Sequence, residues 1–262
     1  MKRIYAGMMT ILAASLLNGC VMEKDLKEPL DQYMEKTYGI KSDDYHFLKW
    51  DNNWLAGVAH QTAIEIEKPY ETTAFISLER DTYKVESEEV YTELVKGAYV
   101  QQYPGVFSFS EKIIKKYGFM EKSPVQYDEI KKNFYYYMDV RTGEAIKERL
   151  TTQFKDTQRI DLDQLLPDYA ESNEDEENIR VHFAFYYNTH DKNDKIPNAK
   201  NLVQDYEKSE VLAEGLYSIG VRTIDSKDGG YSVGVDKRNS TVLFRVDSGG
   251  GFRDTQELTP EI

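Results

Sequence analysis

Residues 179–187 read IRVHFAFYY, and their alternation decides the fold class. Side chains of a strand point alternately to opposite faces, so Val181, Phe183, Phe185 and Tyr187 share one apolar face. Downstream, His190 to Asn198 is a polar loop. Asn201 to Gly215 then reads as a helix with Leu202, Val203, Tyr206, Val211 and Leu212 apolar. Leu216 to Ile224 is a second strand. Gly229-Gly230 opens a hairpin of Tyr231 to Val235 and Thr241 to Val246, turning at Asp236-Lys237-Arg238-Asn239. Asp247 to Gly251 ends the sheet, and 252–262, poor in apolar residues, reads as a flexible tail. Upstream, Gly143 to Phe154 is helical and Pro167 to Asn178 is an acidic, turn-rich loop. The stretch from Tyr127 to Val140 fits helix or strand.

The first half has the same mixture. Lys27 to Tyr38 carries Leu30, Tyr33, Met34 and Thr37 at helical spacing, with Gly39 as the stop. Strands are expected at Tyr45 to Trp50, Trp54 to Glu67 and Thr72 to Leu78, with short connections that suggest an antiparallel meander. Ser87 to Gln102 and Ser108 to Tyr117 read as helices, separated by a break at Pro104-Gly105 and closed by Gly118. MEKTYGI (34–40) echoes EKIIKKYGFM (111–120), which a shared helix-stop sequence explains as well as an internal repeat. The expected fold is α+β, with antiparallel sheet packed with helices. Its two halves are of similar size, 27–122 and 123–251, and meet at Ser123-Pro124.

The N-terminus has a different character. Lys2 and Arg3 precede an uncharged, largely apolar run from Ile4 to Gly19, 16 residues long. A membrane-spanning helix needs about 20 apolar residues. A basic head, a short apolar run and a small residue before the cut make an export signal. Leu17-Asn18-Gly19-Cys20 then resembles the lipobox of a bacterial lipoprotein precursor, with Asn18 less usual at its position. The resemblance covers the first 20 residues. It implies cleavage of the signal peptide 1–19, lipid (diacylglycerol, palmitate-type acyl chains) on the Cys20 sulfur, and a tether over 20–26. Two acyl chains give stable anchoring where one gives only marginal binding. The implied place is the outer face of the cell membrane, in a Gram-positive-type envelope.

Composition fits that address. The chain has 33 Lys+Arg against 46 Asp+Glu, a net charge of −13, which becomes −15 when Lys2 and Arg3 leave with the signal. Such a body is repelled by anionic lipid and by nucleic acid. Cys20 is the sole cysteine, so an intramolecular disulfide and a Cys-rich zinc site are excluded. Tyrosine is abundant, with 20 Tyr and 11 Phe against 2 Trp. It suits half-buried sheet faces and contact surfaces alike.

Signatures of chemistry are weak. His46, His60, His182 and His190 show no HExxH or HxxxH spacing. His46 and His60 fall in neighbouring strands without a third metal ligand. Glu174 to Glu177 and His190 to Asp194 lack the alternating ligands and glycine of an EF-type loop. Ser248 to Gly251 is glycine-rich without the Lys-Ser/Thr of a phosphate loop. G-x-S-x-G is absent. The pairs Asp43-Asp44 and Asp161/Asp163 carry little weight among so many acids, and Asp161 and Asp163 alternate with Ile160 and Leu162 as on an exposed face. The sequence therefore favours a non-enzymatic binding or interaction module, without catalytic, metal or cofactor residues, meeting an envelope protein or wall component. The alternative is an envelope enzyme acting on wall polymer or peptide through an acidic residue.

Overall fold

The computed structural model describes residues 23–50, 59–124, 135–170, 177–190, 195–225 and 238–258. They divide into two compact units. The first holds the described residues up to Lys68 and Thr73–Val90; the second holds Pro69–Thr72 and the described residues from Tyr91 onward. The Ser123-Pro124 boundary expected from sequence falls inside the second unit.

In the first unit, helix α1 (Glu23–Tyr38) is followed by β1 (Tyr45–Trp50), β2 (His60–Ile66), β3 (Thr72–Leu78) and β4 (Val85–Glu88). The strands form a sheet in sequence order β1-β2-β3-β4, with β1–β2 and β3–β4 antiparallel. This is the expected meander, extended by β4, which lies where the sequence suggested the start of a helix. Helix α1 begins earlier than expected. Glu23 to Leu26, read as tether, are helical, and Leu26, Leu30, Met34 and Tyr38 form its buried stripe at four-residue spacing. Leu26 adds a full side chain of apolar burial to that stripe, which draws the helix back over the polar residues before it. Tyr38 donates to Glu88 Oε1 at 2.7 Å, and Tyr45 donates to Asp31, so the helix is bonded to both edge strands.

The second unit contains α2 (Val90–Gln102, counted here from Tyr91), α3 (Pro104–Tyr117), β5 (Met138–Thr142), α4 (Glu144–Thr157), α5 (Leu162–Asp168), β6 (Ile179–Asn188), α6 (Ala199–Ser209), β7 (Gly215–Ile224), β8 (Ser240–Val246) and β9 (Phe252–Leu258). Its five-stranded sheet runs β5-β6-β7-β8-β9. Every pair is antiparallel except β6–β7, which is parallel because α6 carries the chain back between them. The sheet is therefore mixed.

Several boundaries differ from expectation for physical reasons. The expected break between α2 and α3 falls at Tyr103, one residue before Pro104-Gly105, and Pro104 opens α3, where its missing N–H costs nothing. Helix α6 stops at Glu210, which is left-handed, and Val211 and Leu212 lie beyond it. Asp161 and Asp163 are exposed, as expected, at the start of a helix. Asp161 caps α5 by accepting from the Gln164 N–H at 3.3 Å, and Pro167 and Asp168 belong to that helix rather than to a loop. The tail is ordered over Phe252–Leu258, because β8 supplies a ladder that compensates for its poor apolar content. Both Tyr-Gly-apolar sequences are helix stops, with Gly39 and Gly118 left-handed at φ 70° and 69°.

One face of the five-stranded sheet is apolar. Met138, Val140, Val181, Phe183, Phe185, Tyr187, Tyr217, Ile219, Val221, Val242, Phe244 and Val246 are all buried. Helices α3 and α6 join there, where the Ser110 hydroxyl lies 2.6 Å from the Tyr206 hydroxyl and Tyr206 packs on Phe183. Residues 70–72 lie against α2. Thr72 donates to Glu93 Oε2 at 3.3 Å, beside a buried Glu93–Lys96 pair at 3.9 Å.

That approach depends on Gly97. In a helix interior, replacing glycine by alanine normally gains up to about 1 kcal/mol. Here an added Cβ would lie 2.8 Å from the Glu71 carbonyl oxygen and 3.1 Å from the Tyr70 Cβ. Overpacking of this kind costs about 1–3 kcal/mol and outweighs the gain in helix propensity. Gly97→Ala is expected to lower the urea midpoint; an unchanged or higher midpoint would show that residues 70–72 yield freely.

Candidate ligand-binding face

The alternation that buries Val181 and Phe183 sends Arg180 and His182 to the other side of the five-stranded sheet. Register then assembles the rest. Arg141 on β5 pairs with Arg180 on β6, Arg180 with Leu216 on β7, Leu216 with Arg245 on β8, and Arg245 with Arg253 on β9. One cross-strand row thus carries arginine on four of its five strands. At about 4.8 Å per strand it spans roughly 19 Å. Arg222 lies farther along β7 on the same face, opposite Tyr186. Half of the ten arginines of this acidic chain stand on one sheet face.

The row is exposed at both ends and shielded between them. Arg141 is exposed, Arg180 is 8 % exposed and Leu216 is buried. The side chains of Arg245 and Arg253 are 23 % and 71 % exposed. Like charges directly opposite one another across strands are unfavourable. Acids offset this at the β8–β9 end, where Arg245 meets Asp254 at 3.2 Å and Arg253 meets Asp247 at 2.5 Å. Asp254 is left-handed, at φ 52°, where the β8–β9 register shifts. Asp247 also accepts the N–H groups of Gly249 and Gly251, each at 2.9 Å. Ser248 to Gly251 is therefore a hairpin turn held by an aspartate, and that hairpin continues the sheet.

The adjacent row runs Asp139, His182, Ser218, Leu243 and Gln256. His182 Nδ1 lies 2.7 Å from Ser218 Oγ, and both residues are buried. An imidazole beside a hydroxyl has the form of a base and a nucleophile. Burial, then the positive charges of Arg141, Arg222 and Arg180, push the His182 pKa from 6.5 down to about 3. Such an imidazole is neutral at pH 7 and too weak a base to activate serine. Asp139 is its neighbour in the row, but no described carboxylate forms an ion pair with it. The pair orders the sheet face and adds no charge to it.

The other sequence candidates are dispersed. His46 lies against two carboxylates, with Nε2 3.0 Å from Glu65 and Nδ1 3.2 Å from Glu67. His60 is buried and stacked on Tyr83. The β1–β2 register pairs His46 with Glu65 and Trp50 with Thr62, so the two histidines stand at opposite ends and on opposite faces. His190 Nδ1 lies 2.9 Å from Asp225, while residues 191–194 lie outside the described residues, as do 171–176 with most of the acidic run. Asp163 accepts from Tyr103, and Asp44 meets Lys68 at 3.5 Å. Among the described residues, no group of three or more His, Cys, Asp or Glu is placed to hold a metal ion. Cys20 and the signal 1–19 lie outside the described residues, and no helix among those described is long and apolar enough to cross a membrane.

The arginine row escaped the sequence reading because its members are far apart in the chain. A search for runs of basic residues cannot find one arginine per strand. The alternation of IRVHFAFYY was sufficient to place Arg180 opposite the core; the rest required the strand order. Comparison with protein-family models, curated proteins and solved structures returned no match. The functional reading therefore rests on this face.

His182 makes the face acid-sensitive. Its folded pKa is depressed, so as pH falls from 6.5 toward 3 the unfolded chain takes up a proton that the folded chain refuses, and stability is lost. At 1.36 kcal/mol per pH unit, the stability lead of wild type over His182→Gln should shrink by about 3 kcal/mol between pH 7 and pH 4. Urea denaturation of both proteins at the two pH values measures it; a constant difference would place the proton elsewhere.

Proposed function

We propose that this protein is a lipid-anchored, extracytoplasmic binding protein of the cell envelope, without catalytic activity. The observation that carries the binding role is the cross-strand row of Arg141, Arg180, Arg245 and Arg253 on an acidic body. Charges of one sign set opposite each other lower stability, and a ligand of opposite sign gives them a use. The weak base at His182 argues against Ser218 as a nucleophile on this face. The address rests on Lys2-Arg3, the apolar run and Leu17-Asn18-Gly19-Cys20. Acyl chains on Cys20 hold a body whose net charge opposes an anionic bilayer.

Replacing Cys20 by Ala and labelling cells with a clickable fatty acid tests the anchor. Label is expected on the wild-type protein and not on the variant, which should leave the membrane fraction. A variant that is still labelled and membrane-bound would overturn the anchoring.

A further inference from the structure

We infer that the first unit binds an acidic oligosaccharide, a short chain of sugar rings bearing carboxylates, in the groove between helix α1 and the β3–β4 loop. This is a second surface, separate from the arginine row. The groove measures about 1020 Å³, at the upper end of the roughly 300–1,000 Å³ of ligand clefts. Lys24 and Lys36 line it from α1. Twelve residues at 1.5 Å each set them about 18 Å apart, a span that a single ring does not fill. Tyr83 and Lys84 line it from the loop.

Three observations select the occupant. The first is Tyr83. Loop residues 80–83 are closed by Glu79 donating to the Lys84 carbonyl at 2.7 Å, and Tyr83, the last of them, has φ 54°. Glycine or asparagine takes a left-handed backbone at least cost, and a bulky ring there is strain of the kind stored at binding sites. The Tyr83 ring stacks on buried His60, with centroids 5.5 Å apart, and stays half-buried on the groove. The second is Tyr33, half-buried on the helical wall. Aromatic faces of this kind suit the C–H faces of sugar rings. The third is charge. Lys24, Lys36 and Lys84 are exposed, and none of their ammonium groups meets a carboxylate among the described residues. In a chain with 46 acidic residues, three unpaired lysines on one groove are open to an anion.

The remaining lining narrows the class. Asp25 and Glu28 share the groove, so it carries three ammonium groups against two carboxylates. Their oxygens accept from sugar hydroxyls and oppose a densely charged ligand, which favours one charge per ring. An apolar ligand would strip water from all five charges. An anionic bilayer is repelled by α1, where Glu23, Asp25, Glu28, Asp31 and Glu35 outnumber three lysines.

The test uses the full chain in mild detergent, titrated by calorimetry with a tetrasaccharide of alternating glucuronate and N-acetylglucosamine. Saturable binding is expected, tighter than to cellotetraose, which has the rings without the charge. The double variant Lys36→Gln/Lys84→Gln changes two exposed, unpaired side chains and should weaken binding about fivefold. Tyr83→Asn should weaken it about tenfold. Asparagine tolerates the left-handed backbone, so that variant should keep its urea midpoint. A ring that served the fold alone would lower the midpoint and leave affinity unchanged; if it serves both, the lysine pair still decides. No binding, equal binding of cellotetraose, or affinity unchanged in either variant would overturn the inference. So would equal binding of oligoglutamate or of anionic phospholipid vesicles, which would identify an acidic peptide or a membrane as the occupant. None of these substitutions touches the arginine row. Fatty-acid labelling of Cys20 is read independently, so a failure here leaves the anchoring untouched, and a failure there leaves this binding in place.

Discussion

The parallel pairing of β6 with β7 is the constraint on which the second unit depends. Val181, Phe183 and Phe185 face the core beside Tyr217, Ile219 and Val221, and their burial holds the register of the two central strands. A slip of one residue would send every one of these side chains to the opposite face. Each fully buried side chain contributes about 1.5–3 kcal/mol. Six of them far outweigh what the polar face loses by holding like charges together. The core therefore dictates where Arg180 and His182 go, and the antiparallel neighbours carry the row outward from there.

This explains how an acidic protein keeps a cationic line without losing its fold. The charges do not hold the sheet together; the opposite face does. Asp254 and Asp247 relieve the β8–β9 end, and the neutral state of His182 spares the middle a further charge. Burial among arginines is what keeps that imidazole neutral, so the histidine and the row are coupled.

The elements legible in sequence were those whose local pattern agrees with their final packing. IRVHFAFYY alternates, and β6 follows it through Asn188. Gly39 and Gly118 mark helix ends because a left-handed residue is needed there. The misread elements were those decided by distant partners. Phe252–Leu258 has little hydrophobic signal and is a strand because β8 pairs with it. Leu26 turns tether into helix because it joins a buried stripe. The site was the least legible part, because Arg141, Arg180, Arg245 and Arg253 become neighbours only through strand order, which composition and spacing do not encode.

The character of β9 also bears on self-association. A terminal strand exposes unpaired N–H and C=O groups, a template on which another copy can add its own strand. Here that strand reads FRDTQEL; Arg253, Asp254 and Glu257 are charged, and left-handed Asp254 interrupts the extended backbone. An incoming strand would have to bury charge and would find its hydrogen-bond ladder out of step partway along. Addition of a second copy's strand at β9 is thereby disfavoured.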